Sequence, residues 1–283
     1  MFRIKATKNL TLLGFILVVS FVFIALFAQA IAPYDPLQIA LNESLQKPSW
    51  AHLMGTDILG RDVFSRIIYG TRTSLTIGVA ATGISLVIGV VVGAISGYYG
   101  GWIDSLIMRI TDVFLAFPFF LLALAIMTFL GSSFMNVFLV LGTVGWTHYA
   151  RLVRGQVMFV KVSLFIEAAR ALGAKDSRIV FKHILPSSIA PVIAYMTLNI
   201  GSVILAEAGL SFLGMGVHPP AASWGLMLAE SKDYFFNASW MVIWPGTAIF
   251  LTVLGYNLLG DGLRDALDPR FKQYTKSKSK KGW

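Results

Sequence analysis

Apolar residues gather into six runs, at 10–32, 74–97, 113–130, 134–150, 189–213 and 240–260, with polar segments between them. Each run is near or above the roughly 20 helical residues that cross a hydrocarbon core about 30 Å thick. In lipid the backbone must satisfy its own hydrogen bonds, so each run predicts a helix. The expected fold class is all-α, a polytopic membrane protein with six transmembrane helices. The predicted organisation is an N-terminal tail and first membrane helix over 1–32 and an extracytoplasmic segment with an interfacial helix over 33–73. A core of five membrane helices follows over 74–260, including a polar loop at 151–188, and then a basic tail over 261–283. Arg3, Lys5, Lys8 and Ala28-Gln29-Ala30 flank the first run as in a secretory signal. That run is longer than a signal core, so it reads as a retained helix.

Within the second run Ala81, Ser85, Gly89, Gly93 and Gly97 recur at four-residue spacing, a small-residue face that admits a neighbouring backbone. Pro118 and Pro245 predict kinks or helix ends. Ahead of the second run, Asp57 is placed to cap a helix whose apolar side is Val63, Phe64, Ile67 and Ile68. Ion pairs Asp57–Arg61 and Asp62–Arg66 are expected at four-residue spacing. Such a helix lies at the outer interface, either receiving solute or plugging the bundle end.

Of 283 residues 56% are hydrophobic and 13% charged, which excludes an ordinary soluble domain. There is no cysteine, hence no disulfide, thiolate metal site or thiol nucleophile. The net charge of +9 is a matter of topology before it is one of nucleic acid. With the N-terminus inside, 18 of the 23 basic residues fall on the inner side and 5 outside. The positive-inside bias therefore puts both termini and the 151–188 loop in the cytoplasm of a cell (inner or plasma) membrane protein, with no nucleic-acid partner. The four lysines at 276, 278, 280 and 281 suit a tail against anionic membrane lipid.

The 151–188 loop carries seven basic residues against Glu167 and Asp176. Ala168, Ala169 and Leu172 share a helix face and Arg170 points elsewhere. Gly173 is placed to end that helix in a left-handed conformation, Asp176 or Ser177 to cap a second one, and Pro186 to mark its end. Glu167-Ala168-Ala169, Gly173 and Leu185-Pro186 have the spacing of the EAA signature, and the loop resembles the coupling loop of ATP-binding-cassette (ABC) importer permeases. His183 stands where the general pattern is aliphatic, which resembles the dipeptide/oligopeptide/nickel branch. Gly55-Thr56-Asp57 with Gly60-Arg61-Asp62, Gly209–Gly214 with Ser223-Trp224-Gly225, and Gly260–Arg270 resemble the same branch.

The resemblance implies a type I, MetI-like permease fold, half of a translocation path for peptides or nickel. It implies a second homologous permease subunit, two ATPase subunits that bind ATP and magnesium, and an extracytoplasmic solute-binding protein. Glu167, Ala168, Ala169, Gly173, His183, Leu185 and Pro186 would be the ATPase-coupling residues. The chain has no G-x-x-x-x-G-K-[ST] phosphate loop, so ATP belongs to another subunit and no catalytic residue or cofactor is expected here. Its four histidines lack ligand spacing, so no metal site is expected. A secondary transporter is the alternative, but it needs intramembrane ion sites and internal repeats. Glu207 is the one acid deep in an apolar run, with Ser211 four residues on; it lines a path or gate, or it bonds another helix. Asp104, Arg109 and Asp112 read as an interfacial anchor.

Overall fold

A computed structural model describes residues 2–267. The basic tail and the end of the Gly260–Arg270 stretch lie outside the described residues. Among the described residues the fold is helical, with one isolated bridge between Thr56 and Asp62. The main helices are α1 (Phe2–Leu26), α2 (Val63–Tyr99), α3 (Gly101–Ala116), α4 (Phe119–Leu130), α5 (Phe134–Val144) and α6 (Trp146–Lys161). They continue with α7 (Leu164–Ala171), α8 (Asp176–Phe212), α9 (Trp224–Ser231) and α10 (Trp240–Leu267).

Four single helices are long and apolar enough to cross a membrane, within α1, α2, α8 and α10. The third run is broken: α3 and α4 meet at an 86° bend. Pro118 lacks a backbone donor and forces Phe117 into the extended region, at φ −97° and ψ 136°. The fourth run is divided at Gly145 between α5 and α6, and α6 continues beyond it to Lys161. Pro245, expected to kink or end its helix, lies inside α10, which runs on for several turns.

The outer segment also departs from expectation. No separate interfacial helix precedes the second run; residues 63–73 are the first turns of α2. Asp62, not Asp57, caps it, accepting from Ser65 N at 2.7 Å and from Ser65 Oγ at 2.7 Å. Asp57 pairs with Arg61 at 2.6 Å as expected, but Arg66 turns to Asp57 at 2.5 Å because the Asp62 carboxylate is occupied by the cap. Glu230 at the end of α9 completes this cluster, 3.0 Å from Arg61 and 2.7 Å from Arg66.

At 37 residues α2 is about 55 Å long, well beyond the bilayer core. Its small-residue face receives α6: a Cβ on Gly93 would stand 2.5 Å from Ala150 O, and one on Gly97 2.8 Å from Arg154 O. Three buried clusters stack along the molecule. One joins α2, α8, α9 and α10 around Ile67, Ile204 and Trp224. A second joins α2, α4, α5 and α8 around Ile77, Met127 and Leu141. The third, around Tyr149, Val157, Ile166, Ile179 and Ile184, fastens the polar loop to α2 and α6.

Candidate functional site

The polar loop is a helix, a tight turn and a second helix that does not stop. In α7 the buried residue is Ile166, with no exposed surface, set among Val157, Val160 and Ile179. The rest of α7 looks outward: Glu167, Ala168 and Arg170 are exposed, Ala169 partly so. Leu164 and Leu172 at either end are 83% and 88% exposed. Gly173 takes φ 78°, as expected, and the bonds Gly173 N→Arg170 O and Ala174 N→Ala169 O close the helix in a Schellman turn.

Beyond the turn the structure corrects two expectations. Neither Asp176 nor Ser177 caps the second helix; Lys175 occupies that place and makes no side-chain cap bond. Nor does Pro186 end it, because the chain passes through a π-helical stretch, Ile179–Ile184, straight into the fifth span. The Leu185 N–H reaches Val180 O five residues back. Pro186 has no N–H and crowds the carbonyl four residues before it, and the wider turn relieves that crowding. Leu185 is half-buried, Pro186 exposed and His183 half-exposed, with the His183 carbonyl accepting from Ser187 Oγ at 2.8 Å.

Contacts between residues far apart in the chain hold this unit. Tyr98, at the C-terminal end of α2, donates its hydroxyl to Asp176 Oδ1 at 2.5 Å, and Arg170 also faces that hydroxyl. Lys161 bonds the Tyr98 carbonyl and lies 5.4 Å over its ring. Asp104 receives two bonds from Arg154, at 2.5 and 2.6 Å, and Asp112 pairs with Arg151, so two acids of the expected anchor tie α3 to α6. Periodicity could flag Ile166 as a buried position, but Tyr98 is separated from Asp176 by 78 residues and only the fold joins them.

Glu207 lies far along α8 and is not part of that site. It is wholly buried, accepting from Ser211 at 2.8 Å and Ser74 at 3.4 Å, with Ser223 at the same carboxyl. Ser74 is on α2 and Ser223 precedes α9, so three elements converge there. Among the described residues no group of three or more His, Asp or Glu side chains is arranged to hold a metal ion.

Residues 89–273 match the family model of the binding-protein-dependent transport system inner membrane component. The chain belongs to this family. Residues 7–48 of the permease match a second model, the N-terminal TM domain of oligopeptide transport permease C. It is 45% identical over 271 residues to the dipeptide transport system permease protein DppC of Alkalihalophilus pseudofirmus, covering 96% of this chain and 89% of the relative. It is 46% identical over 250 residues to the glutathione transport system permease protein GsiD of Pectobacterium atrosepticum, covering 88% of this chain and 83% of that one. An inward-facing structure of the MetNI methionine ABC transporter shares the fold, at TM-score 0.58 and 20% identity, over 73% of this permease and 96% of that chain. The permease is thus a multi-pass membrane component of an ABC importer, with the EAA-like segment built as a compact unit at one end of its fifth span.

Proposed function

We propose that this permease forms half of a translocation path for peptides and is driven by separate ATPase subunits that grip α7. A second homologous permease completes the path, two ATPases supply ATP and magnesium, and a solute-binding protein delivers cargo from outside. Both termini face the cytoplasm, with no cofactor on this chain. The observation that carries the reading is the continuous helix Asp176–Phe212: the loop that presents Glu167, Ala168 and Ala169 is welded to a membrane span. A push on α7 passes through the Gly173 turn, which Ile166 braces within the cluster that holds Ile179, into that continuous helix. Peptides are favoured over nickel by the two relatives named for dipeptide and glutathione transport and by the absence of a clustered metal-ligand set among the described residues.

Glu207 with Ser211 is assigned a structural role, as a tie between α2, α8 and the entry to α9. Its complete burial and the three serines around it support this over a path-lining role. The test of the main reading is to replace Ala169 by Trp, which is expected to leave insertion intact while separating ATP hydrolysis from uptake. Copurification of ATPase subunits with the wild-type chain, weakened by Ala169→Trp, is the expected companion result; wild-type uptake in the variant would refute the docking role.

A further inference from the structure

One arginine at the outer end of α2 stands apart from the others. Arg61 and Arg66 are buried and neutralised by Asp57 and Glu230. Arg72, just ahead of the second apolar run, is exposed, and its guanidinium meets no carboxylate or hydrogen-bond acceptor among the described residues. A guanidinium stays charged at any physiological pH, so at a membrane boundary it requires water or an anion beside it.

Arg72 opens onto a cavity of about 520 Å³, in the range of small-molecule sites, lined also by Tyr34, Asp35, Tyr69, Thr73 and Gln29. The side chains of Gln29, Tyr69 and Thr73 likewise have no intramolecular partner. Asp35 Oδ1 accepts from Leu37 N at 2.9 Å, leaving its second oxygen uncommitted. Arg72 and Asp35 thus line one space with opposite charges yet form no ion pair with each other.

The wall bearing Asp35 is fixed rather than loose. Tyr34 donates its hydroxyl to Ala51 O at 2.8 Å, its N–H bonds Ser65 Oγ at 3.1 Å, and its ring lies 4.9 Å from that of His52. His52 Nδ1 is in turn 2.9 Å from the capping Asp62. The far wall, Pro220 to Ala222, leads into Ser223 at the start of α9, where the Glu207 tie holds it. Two opposite charges, borne on backbone that is held in place, therefore line one space together with the unpaired hydroxyls of Tyr69 and Thr73 and the Gln29 amide.

We propose that this cavity receives a zwitterionic, peptide-like solute at the outer mouth, Arg72 taking its carboxylate and Asp35 its ammonium. Resting on the importer reading above, this assigns a reception point on the permease itself. Asp35 argues against a phosphate dianion, which it would repel, and for a ligand carrying both charges.

The test uses the purified full-length chain in phosphatidylcholine nanodiscs and saturation-transfer NMR with trialanine, trialanine amide and N-acetyl-trialanine. Trialanine is expected to bind, with the amide and the acetylated peptide each about tenfold weaker, as for loss of one charge-assisted hydrogen bond. Arg72→Gln should weaken trialanine about tenfold while leaving the amide unchanged, and Asp35→Asn should do the same with respect to the acetylated peptide. Arg72→Lys, which keeps the charge, should lose less. No binding of trialanine to the wild type, or equal binding of all three peptides, overturns the proposal without needing any variant. So does loss of the signal when phosphatidylglycerol replaces phosphatidylcholine, which would give Arg72 to a lipid headgroup. None of these results touches the coupling test with Ala169→Trp, so the importer reading stands or falls separately.

Discussion

Ile166 is buried within the eight-residue helix α7 and Leu172 stands exposed at its C-cap, so truncating each to alanine should differ in its effect on local stability. Ile166 has no exposed surface and is the buried residue by which α7 joins the cluster of Val157, Val160, Ile179 and Ile184. An isoleucine-to-alanine change at such a site costs about 2–5 kcal/mol, and α7 is too short to be stable without that anchor. Taking about 2 kcal/mol as the loss in local opening free energy, amide exchange across Leu164–Ala171 should accelerate by about 30-fold. Leu172 is 88% exposed, so Leu172→Ala should change local stability by less than about 0.5 kcal/mol. Hydrogen–deuterium exchange on the purified chain reads both. In the assembled transporter both variants should lose uptake, Ile166→Ala because α7 is no longer held and Leu172→Ala because its docking surface is cut back. Unchanged α7 protection in Ile166→Ala would refute the anchoring argument; full uptake in Leu172→Ala would remove Leu172 from the docking face.

Three further outcomes are expected. Gly93→Val would push its Cβ to within 2.5 Å of Ala150 O, so α2 and α6 cannot close; a loss of folded, monodisperse protein on size-exclusion is expected, with Gly83→Ala, which meets nothing within 4 Å, as the tolerated control. Asp57→Ala leaves Arg61 and Arg66 with Glu230 alone and should destabilise the start of α2 by about 3–5 kcal/mol, seen as a lowered thermal midpoint. Glu207→Gln keeps acceptor capacity toward Ser211 and Ser74 and should assemble and transport normally, whereas Glu207→Leu should impair assembly; normal assembly without transport in Glu207→Gln would restore a path-lining role.

Sequence periodicity identified the apolar runs because lipid demands length and uniform composition, and local chemistry identified the Gly173 turn and the Asp57–Arg61 pair because both are settled within a few residues. What escaped was continuity. Helix breakers at Pro118 and Pro186 look alike in sequence, yet one separates two helices by 86° and the other is absorbed by a π-helical stretch. The difference lies in what packs around each: Ile179 and Ile184 are buried at the two ends of the widened stretch, whereas Phe117 and Pro118 are exposed. Long-range partners were equally hidden. Tyr98 with Asp176, and Ser74 and Ser223 with Glu207, are joined only after the helices are laid beside one another.

Those long-range bonds define how movement can pass through the permease. α2 and α8 are both 37 residues long, too long for the bilayer core. Residues 63–73 of α2 project past the start of the second apolar run, and the first turns of α8 carry the EAA-like segment at the opposite end. The two helices are pinned to each other near both ends, through Tyr98–Asp176 at one and Ser74–Glu207 at the other. Between the pins, a Cβ on Gly78 would sit 2.6 Å from Ile204 Cγ1, so the backbones are close and sliding is blocked. A force on α7 therefore tilts α2 and α8 together as one frame rather than moving one along the other. α9 follows, because Arg66 and Arg61 tie the start of α2 to Glu230 on it. Under the proposed docking at α7, the cavity at Arg72 lies at the other end of this frame from α7, so a displacement imposed at α7 is carried toward Arg72 by α2 and α8 without any bond between the two sites.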